Sequence, residues 1–124
     1  MTGIDPAAAE LRDGPVARAI RRERLIVVLR RVAPRERLLA LVDELVDAGA
    51  RIFEVTLDAP EAAADLVAVR EQVRDAADGC LVGAGTVLTE RQLQAARDAG
   101  AAFAVAPVLD AGLEIGRASC RERV

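Results

Sequence analysis

The sequence alternates short apolar runs with amphipathic helical segments, and this alternation limits what the chain can fold into. The apolar runs begin at Leu25, Ile52, Cys80 and Ala102, and helical periodicity follows each of the first three. The runs are too short for buried helices, and they lack the polar alternation of a strand with one face in water. The pattern therefore predicts parallel strands that are buried on both faces, with helices packed outside the sheet.

Proline, glycine and threonine residues mark the ends of the predicted helices. Proline suits the first turn of a helix, glycine suits the position after the last turn, and a threonine hydroxyl caps the first N–H groups. We expect four helices, at residues 6–24 with a break at Gly14-Pro15, from Pro34 to a cap at Gly49, from Pro60 to Asp78-Gly79, and from Thr89 to Gly100.

The spacing of the strand–helix units indicates a barrel. Units of roughly 22–29 residues fit a (β/α)8 TIM barrel, which needs ~200–250 residues in all. The chain has 124 residues and four such units. We therefore predict an α/β fold over residues 1–114 that forms the N-terminal half of a TIM barrel, with four parallel strands and outer helices. An open four-stranded sheet is the alternative.

Missing residue types narrow the chemistry. All 17 basic residues are Arg, and the chain contains no Lys and no His. The lack of His excludes histidine acid–base catalysis and His-ligated metal sites, and Cys80 and Cys120 do not form a disulfide framework. We expect no cofactor and no metal.

Charge and hydropathy predict the compartment and the partners. The net charge of −3 includes no basic stripe, so we expect no nucleic acid partner. The longest aliphatic run, at residues 25–29, is far shorter than the ~20 residues of a membrane helix. We expect a cytoplasmic protein without a membrane partner.

The last ten residues, 115–124, do not continue the pattern. Their sequence, IGRASCRERV, resembles the conceptual translation of a short-read sequencing adapter whose next codon is a stop. A charged C-terminal helix is the alternative. We expect a non-native tail here, and we expect the natural gene to continue beyond residue 114.

Glu54 is a charge inside a run, at residues 51–57, that otherwise predicts a buried strand. Because side chains alternate along a strand, Glu54 shares a face with Ile52 and Thr56, while the apolar residues between them face the helices. A carboxylate inside a barrel is desolvated, which raises its pKa toward the range of a general acid or base. The alternative is a structural Glu paired with an interior Arg, for which Arg30 is the candidate.

Other polar residues and turns lie where the predicted strands end. Arg30 follows the first strand and suits bidentate recognition of a carboxylate or phosphate, or it is a solvated loop residue. Gly85 and Thr86 follow the third strand, where a glycine permits close approach of a ligand and a hydroxyl orients it, or they form a plain turn. Pro107 follows the fourth strand, or it only ends that strand.

Four short motifs occur together in a specific order. They stand at residues 26–30 (IVVLR), 54–57 (EVTL), 83–88 (GAGTVL) and 99–107 (AGAAFAVAP). Their combination resembles the 2-keto-3-deoxy-6-phosphogluconate (KDPG) and 4-hydroxy-2-oxoglutarate (KHG) aldolases, and the resemblance covers residues 25–114.

The resemblance implies a class I aldolase, usually trimeric, that releases pyruvate from a phosphorylated 2-keto-3-deoxy sugar acid. It implies that Glu54 is the acid/base residue and that Arg30, Gly85, Thr86 and Pro107 line the site of the keto-acid substrate. The Schiff-base lysine of the family belongs to strand six, which four units do not reach. We therefore expect this chain to be inactive as it stands.

Two alternatives remain. One is another phosphate-binding α/β barrel that uses the glycine turn only to hold a ligand, and the other is a non-functional fragment with an exposed sheet edge. Asp58 also departs from the family pattern, since many members carry Arg or Thr there, and this departure leaves the sugar-acid specificity open.

Overall fold

The computed structural model describes residues 14–107, and within them three parallel strands alternate with four helices. The elements in chain order are α1 (Pro15–Glu23), β1 (Val27–Leu29), α2 (Arg35–Asp47), β2 (Ile52–Thr56), α3 (Ala62–Ala76), β3 (Leu81–Gly85) and α4 (Glu90–Asp98). The strand order is β1-β2-β3, so each strand pairs with the next one along the chain. This arrangement confirms the predicted α/β class with a parallel sheet.

The predicted fourth strand is corrected to a bridged segment. Residues 102–105 lie beside β3, but a single parallel bridge, between Ala84 and Ala104, joins them to the sheet. Backbone hydrogen bonds flank this bridge, from Ala102 N–H to the Val82 carbonyl and from Val105 N–H to the Ala84 carbonyl. The pairing stops soon afterwards because Pro107 has no N–H to extend a ladder. The described residues therefore contain three strands instead of the four predicted.

The helix ends follow the predicted capping residues. Helix α4 begins after Thr89 with a capping box, in which Thr89 and Gln92 each satisfy the other's backbone N–H. Helix α2 ends before Gly49, whose φ of +107° is the backbone conformation that glycine adopts readily. Helix α1 begins at Pro15, so the predicted break at Gly14-Pro15 is the start of the helix within the described residues. The predicted segments at residues 6–13 and 108–124 lie outside them.

The two faces of the sheet are covered differently. Phe53 and Val55 pack against buried residues of α2, α3 and α4 in the main core. Ile52, on the opposite face, packs with Phe103 and with Val16 and Ala19 of α1. Helix α1 therefore covers the amino-terminal end of this second face, so the prediction that the helices pack outside the sheet is wrong for α1.

No helix within residues 14–107 is long and apolar enough to cross a lipid bilayer.

Candidate active site

Glu54 lies on the second face of the sheet, two residues beyond Ile52 and therefore nearer to the carboxyl end of β2 than the part that α1 covers. In the parallel register it stands between Val28 of β1 and Gly83 of β3. Val28 is 52% exposed, so this face is open beside Glu54. The carboxylate is thus held by a rigid central strand while its tip remains reachable from solvent.

Gly85 provides the space that the Glu54 side chain occupies. A Cβ atom added at Gly85 would overlap the carboxylate oxygen of Glu54 and would lie 2.6 Å from its Cδ. Contacts this short do not occur between non-bonded atoms, so the glycine is required for the observed position of the carboxylate. Sequence reasoning assigned the space above Gly85 to a ligand, whereas the structure fills it with Glu54.

Desolvation raises the pKa of the Glu54 carboxyl, and the positive charge of Arg30 partly opposes this rise. Arg30 does not form a close ion pair with Glu54, because its guanidinium is engaged elsewhere. No hydrogen bond from residues 14–107 reaches the Glu54 carboxylate. Among the described residues Arg30 therefore acts on Glu54 through its charge and not through a direct ion pair.

Arg30 is held at the carboxyl ends of the strands by two side chains. Its Nη1 donates to Asp58 Oδ2 at 2.6 Å, and its Nη2 donates to Thr86 Oγ1 at 3.3 Å. The hydroxyl of Thr56 lies 2.8 Å from Asp58 Oδ1 and donates to it. Side chains that follow β1, β2 and β3 are thereby joined into one polar cluster.

Thr86 adopts a backbone conformation that is unfavourable for its residue type. Its φ is +54°, in the left-handed region, where a β-branched residue is a clear outlier. Conformations of this kind cost about 1–3 kcal/mol and concentrate at functional sites. The turn after β3 therefore stores strain while it presents a hydroxyl to Arg30.

Pro107 is exposed. Within residues 14–107, no hydrogen bond or ion pair joins it to Glu54, Arg30, Gly85 or Thr86. The structure thus brings four of the five predicted site residues together, and the role of Pro107 stays a prediction.

Asp58 and Arg31 complete the cluster, although sequence reasoning did not assign them to the site. Arg31 Nη2 donates to the Asp58 carbonyl at 2.7 Å, and its Nε lies 3.6 Å from Asp58 Oδ2. The hydrogen bond from Thr56 is the main cause that lowers the pKa of the Asp58 carboxyl, and the charge of Arg30 contributes to the same effect. The signal in the sequence was an acidic residue directly after a strand, at the end where two arginines also follow a strand.

The raised pKa of Glu54 makes stability depend on pH in a definite direction. Near pH 4 the carboxyl is largely protonated in the folded state and resembles a neutral amide. As the pH rises through the folded-state pKa, the folded protein must hold a desolvated charge, and stability is lost. We therefore expect Glu54→Gln to raise the free energy of unfolding near pH 7 more than near pH 4.

Urea denaturation of the wild type and the variant at both pH values measures this difference. Glu71→Gln, on the exposed face of α3, controls for the loss of one surface carboxylate. An equal effect of Glu54→Gln at both pH values would contradict the expectation.

Polar side chains beyond the carboxyl ends of parallel strands stand where (β/α)8 barrels and open α/β sheets carry their active sites. Residues 16–121 match the KDPG and KHG aldolase family. The chain belongs to this family of class I lyases. The match reaches into residues 115–124, and the non-native origin of that segment stays a prediction.

Curated relatives carry the same family names. The chain is 42% identical over 91 residues to the 2-dehydro-3-deoxy-phosphogluconate aldolase of Treponema pallidum, an alignment that covers 72% of this chain and 40% of the relative. It is 39% identical over 74 residues to the KHG/KDPG aldolase of Escherichia coli K12, which covers 60% of this chain and 33% of that protein. The chain thus spans about 40% or less of the length of these relatives.

Solved structures of the family resemble the fold. The 2-keto-3-deoxy-6-phosphogluconate aldolase of Zymomonas mobilis ZM4 superposes with a TM-score of 0.72 at 31% identity, over 86% of this chain and 47% of that one. A KDPG aldolase from Legionella pneumophila, with pyruvate captured as a covalent carbinolamine, gives a TM-score of 0.65 at 31% identity, over 79% of this chain and 45% of that one. The three-stranded unit therefore corresponds to part of the barrel in these structures.

Proposed function

We propose that this chain is the acid/base portion of a class I aldolase. Its substrate is a 2-keto-3-deoxy-6-phospho sugar acid, which is cleaved to pyruvate and glyceraldehyde 3-phosphate. The related cleavage of 4-hydroxy-2-oxoglutarate to pyruvate and glyoxylate uses the same chemistry. One observation carries the proposal: a desolvated carboxylate, Glu54, lies in a space made by Gly85 beside an anchored arginine.

Glu54 moves the protons of this reaction. An amine attacks the C2 carbonyl of the keto acid to form a carbinolamine, which loses water to give an imine. The C3–C4 bond then breaks, its electron pair moves into the imine system, and the C4 hydroxyl loses its proton as the aldehyde forms. A carboxylate with a raised pKa accepts that proton near neutral pH and returns one to the enamine carbon.

The neighbouring groups bind the substrate. Arg30 keeps N–H groups that neither Asp58 nor Thr86 uses, and these are suited to an anionic oxygen of the keto acid. The Thr86 hydroxyl lies at the same end of the sheet, and Pro107 borders the pyruvate pocket in the complete protein. These roles follow the family resemblance, and the cluster described above supports those of Arg30 and Thr86.

The nucleophilic amine must come from another part of the protein. The chain contains no lysine, and an arginine cannot replace one because its guanidinium stays protonated. The chain covers 40% of its Treponema relative, so most of a complete enzyme's length lies outside it. We propose that the full-length protein supplies the lysine and is a homotrimer, and that the present chain is inactive.

A phosphate-binding role without catalysis is less well supported. The glycine turn after β3 would have to offer its space to a phosphate. That space holds the Glu54 carboxylate, and a second anion placed beside it would be repelled.

Borohydride trapping with radiolabelled pyruvate tests the proposal. The 124-residue chain is expected to give no lysine adduct. A chimera in which residues 1–107 replace the corresponding part of the E. coli KHG/KDPG aldolase is expected to give one, mapped by peptide mass to the lysine of the E. coli portion. Peptide mapping also separates this adduct from labelling of the α-amino group. A chimera that folds but gives no adduct and no pyruvate release would overturn the proposal.

A further inference from the structure

We propose that Asp58 is a positioning residue that holds the Arg30 guanidinium beside Thr86 and away from Glu54. This inference rests on the proposed function, because it concerns how the acid/base carboxylate is kept free for proton transfer. Asp58 touches no reacting group itself and acts through Arg30.

The carboxylate of Asp58 is well placed to fix an arginine. Its side chain is 21% exposed, whereas the side chain of Arg30 is 55% exposed. Oδ1 accepts a hydrogen bond from the buried Thr56 hydroxyl, and Oδ2 accepts one from Arg30. We infer that the better-buried Asp58 determines where the more exposed Arg30 side chain lies.

Two contacts fix the direction of the Arg30 guanidinium. Nη1 is bound to Asp58 and Nη2 to Thr86 Oγ1, on residues that follow two different strands. A planar guanidinium held at two nitrogens has a defined orientation, and charge-assisted hydrogen bonds of this kind are the stronger ones. The remaining N–H groups are left for a ligand at the strand ends.

Without Asp58, Glu54 would attract the same arginine. Arg30 is the charged group that acts on Glu54 among the described residues, and Arg31 and Asp58 border Arg30 in turn. A freed guanidinium that paired with Glu54 would stabilise its ionised form and weaken it as a proton acceptor. Asp58 thus competes with Glu54 for Arg30 and keeps the two catalytic charges apart.

The test is a double-mutant cycle read by carbon NMR titration of the Glu54 carboxyl in the 124-residue chain. Asp58→Asn is expected to lower the pKa of Glu54. In the Arg30→Gln background, the same substitution is expected to leave that pKa unchanged, because the arginine through which Asp58 acts is gone. A merely structural role would shift the pKa of Glu54 equally in both backgrounds and would overturn the inference.

Three further variants sharpen the result. Asp58→Glu keeps the carboxylate and is expected to restore the wild-type titration. Asp58→Ser, which keeps an acceptor for the Thr56 hydroxyl, is expected to shift the pKa as Asp58→Asn does, so the test survives if the amide disturbs folding. Asp65→Asn breaks the ion pair of Asp65 with Arg35 and is expected to leave the pKa of Glu54 unchanged. No step requires turnover, so an inactive chimera would refute the proposed function without touching this result.

Discussion

Glu54→Gln in the chimera is expected to lower kcat by about 10²–10⁴-fold, which is the usual contribution of a positioned acid or base. Glutamine keeps the shape of the side chain and its place above Gly85, but it cannot take or return a proton. KM for the keto acid is expected to change little, because Arg30 and Thr86 keep their contacts. A coupled assay of pyruvate release measures both constants.

Two comparisons keep this result interpretable. Glu71→Gln removes a carboxylate from the exposed face of α3 and is expected to leave kcat unchanged. The Glu54→Gln chimera still contains the lysine of the E. coli portion. Its imine with pyruvate is therefore expected to form, although slowly. A variant that kept kcat within about threefold of the parent chimera would contradict the assignment of Glu54 to proton transfer.

Gly85→Ala is expected to lower kcat in the chimera by about 10²-fold or more, since small displacements of a catalytic group have effects of this size. The added methyl group would overlap the carboxylate of the half-buried Glu54, and we expect that side chain to turn toward solvent. The free energy of unfolding is therefore expected to change little while activity falls. Kinetics and urea denaturation of the same sample measure the two effects.

Gly83→Ala, two positions earlier in β3, is the matched control. Its added methyl group would overlap the ring of Phe103, which is fully buried. The ring has no open space to enter, so this variant is expected to lose about 1–3 kcal/mol of stability, the usual cost of overpacking. The folded fraction is expected to keep its kcat. Equal loss of stability in the two variants would contradict the role given to Gly85.

The sheet and the direction of Glu54 could be predicted because strand chemistry is local. Ile52, Glu54 and Thr56 alternate with apolar residues along β2. When the apolar residues face the helices of the main core, these three side chains must lie on the opposite face. The capping box at Thr89 and the turn at Gly49 were likewise readable, since each depends on residues within a few positions.

The polar cluster was harder to predict because its contacts join distant residues. Nothing in the sequence near Arg30 shows that its partner is Asp58 and not Glu54. Both carboxylates belong to the same segment, since Glu54 lies within β2 and Asp58 follows shortly after its end. The left-handed backbone of Thr86 could not be predicted either. Threonine normally avoids that conformation, so its residue type argues against it. The fourth strand was overcounted because apolar composition does not reveal where pairing stops.

The order of the strands has a consequence for how the site comes into being. The hydrogen bonds from Arg31 to Asp58, from Arg30 to Asp58 and from Arg30 to Thr86 join residues 27, 28 and 56 positions apart. Each strand pairs with the one that precedes it along the chain, so the partners in these contacts all lie within one contiguous stretch of sequence. Residues 30–86 therefore supply every partner in these three contacts, and none of the contacts depends on a segment outside that stretch.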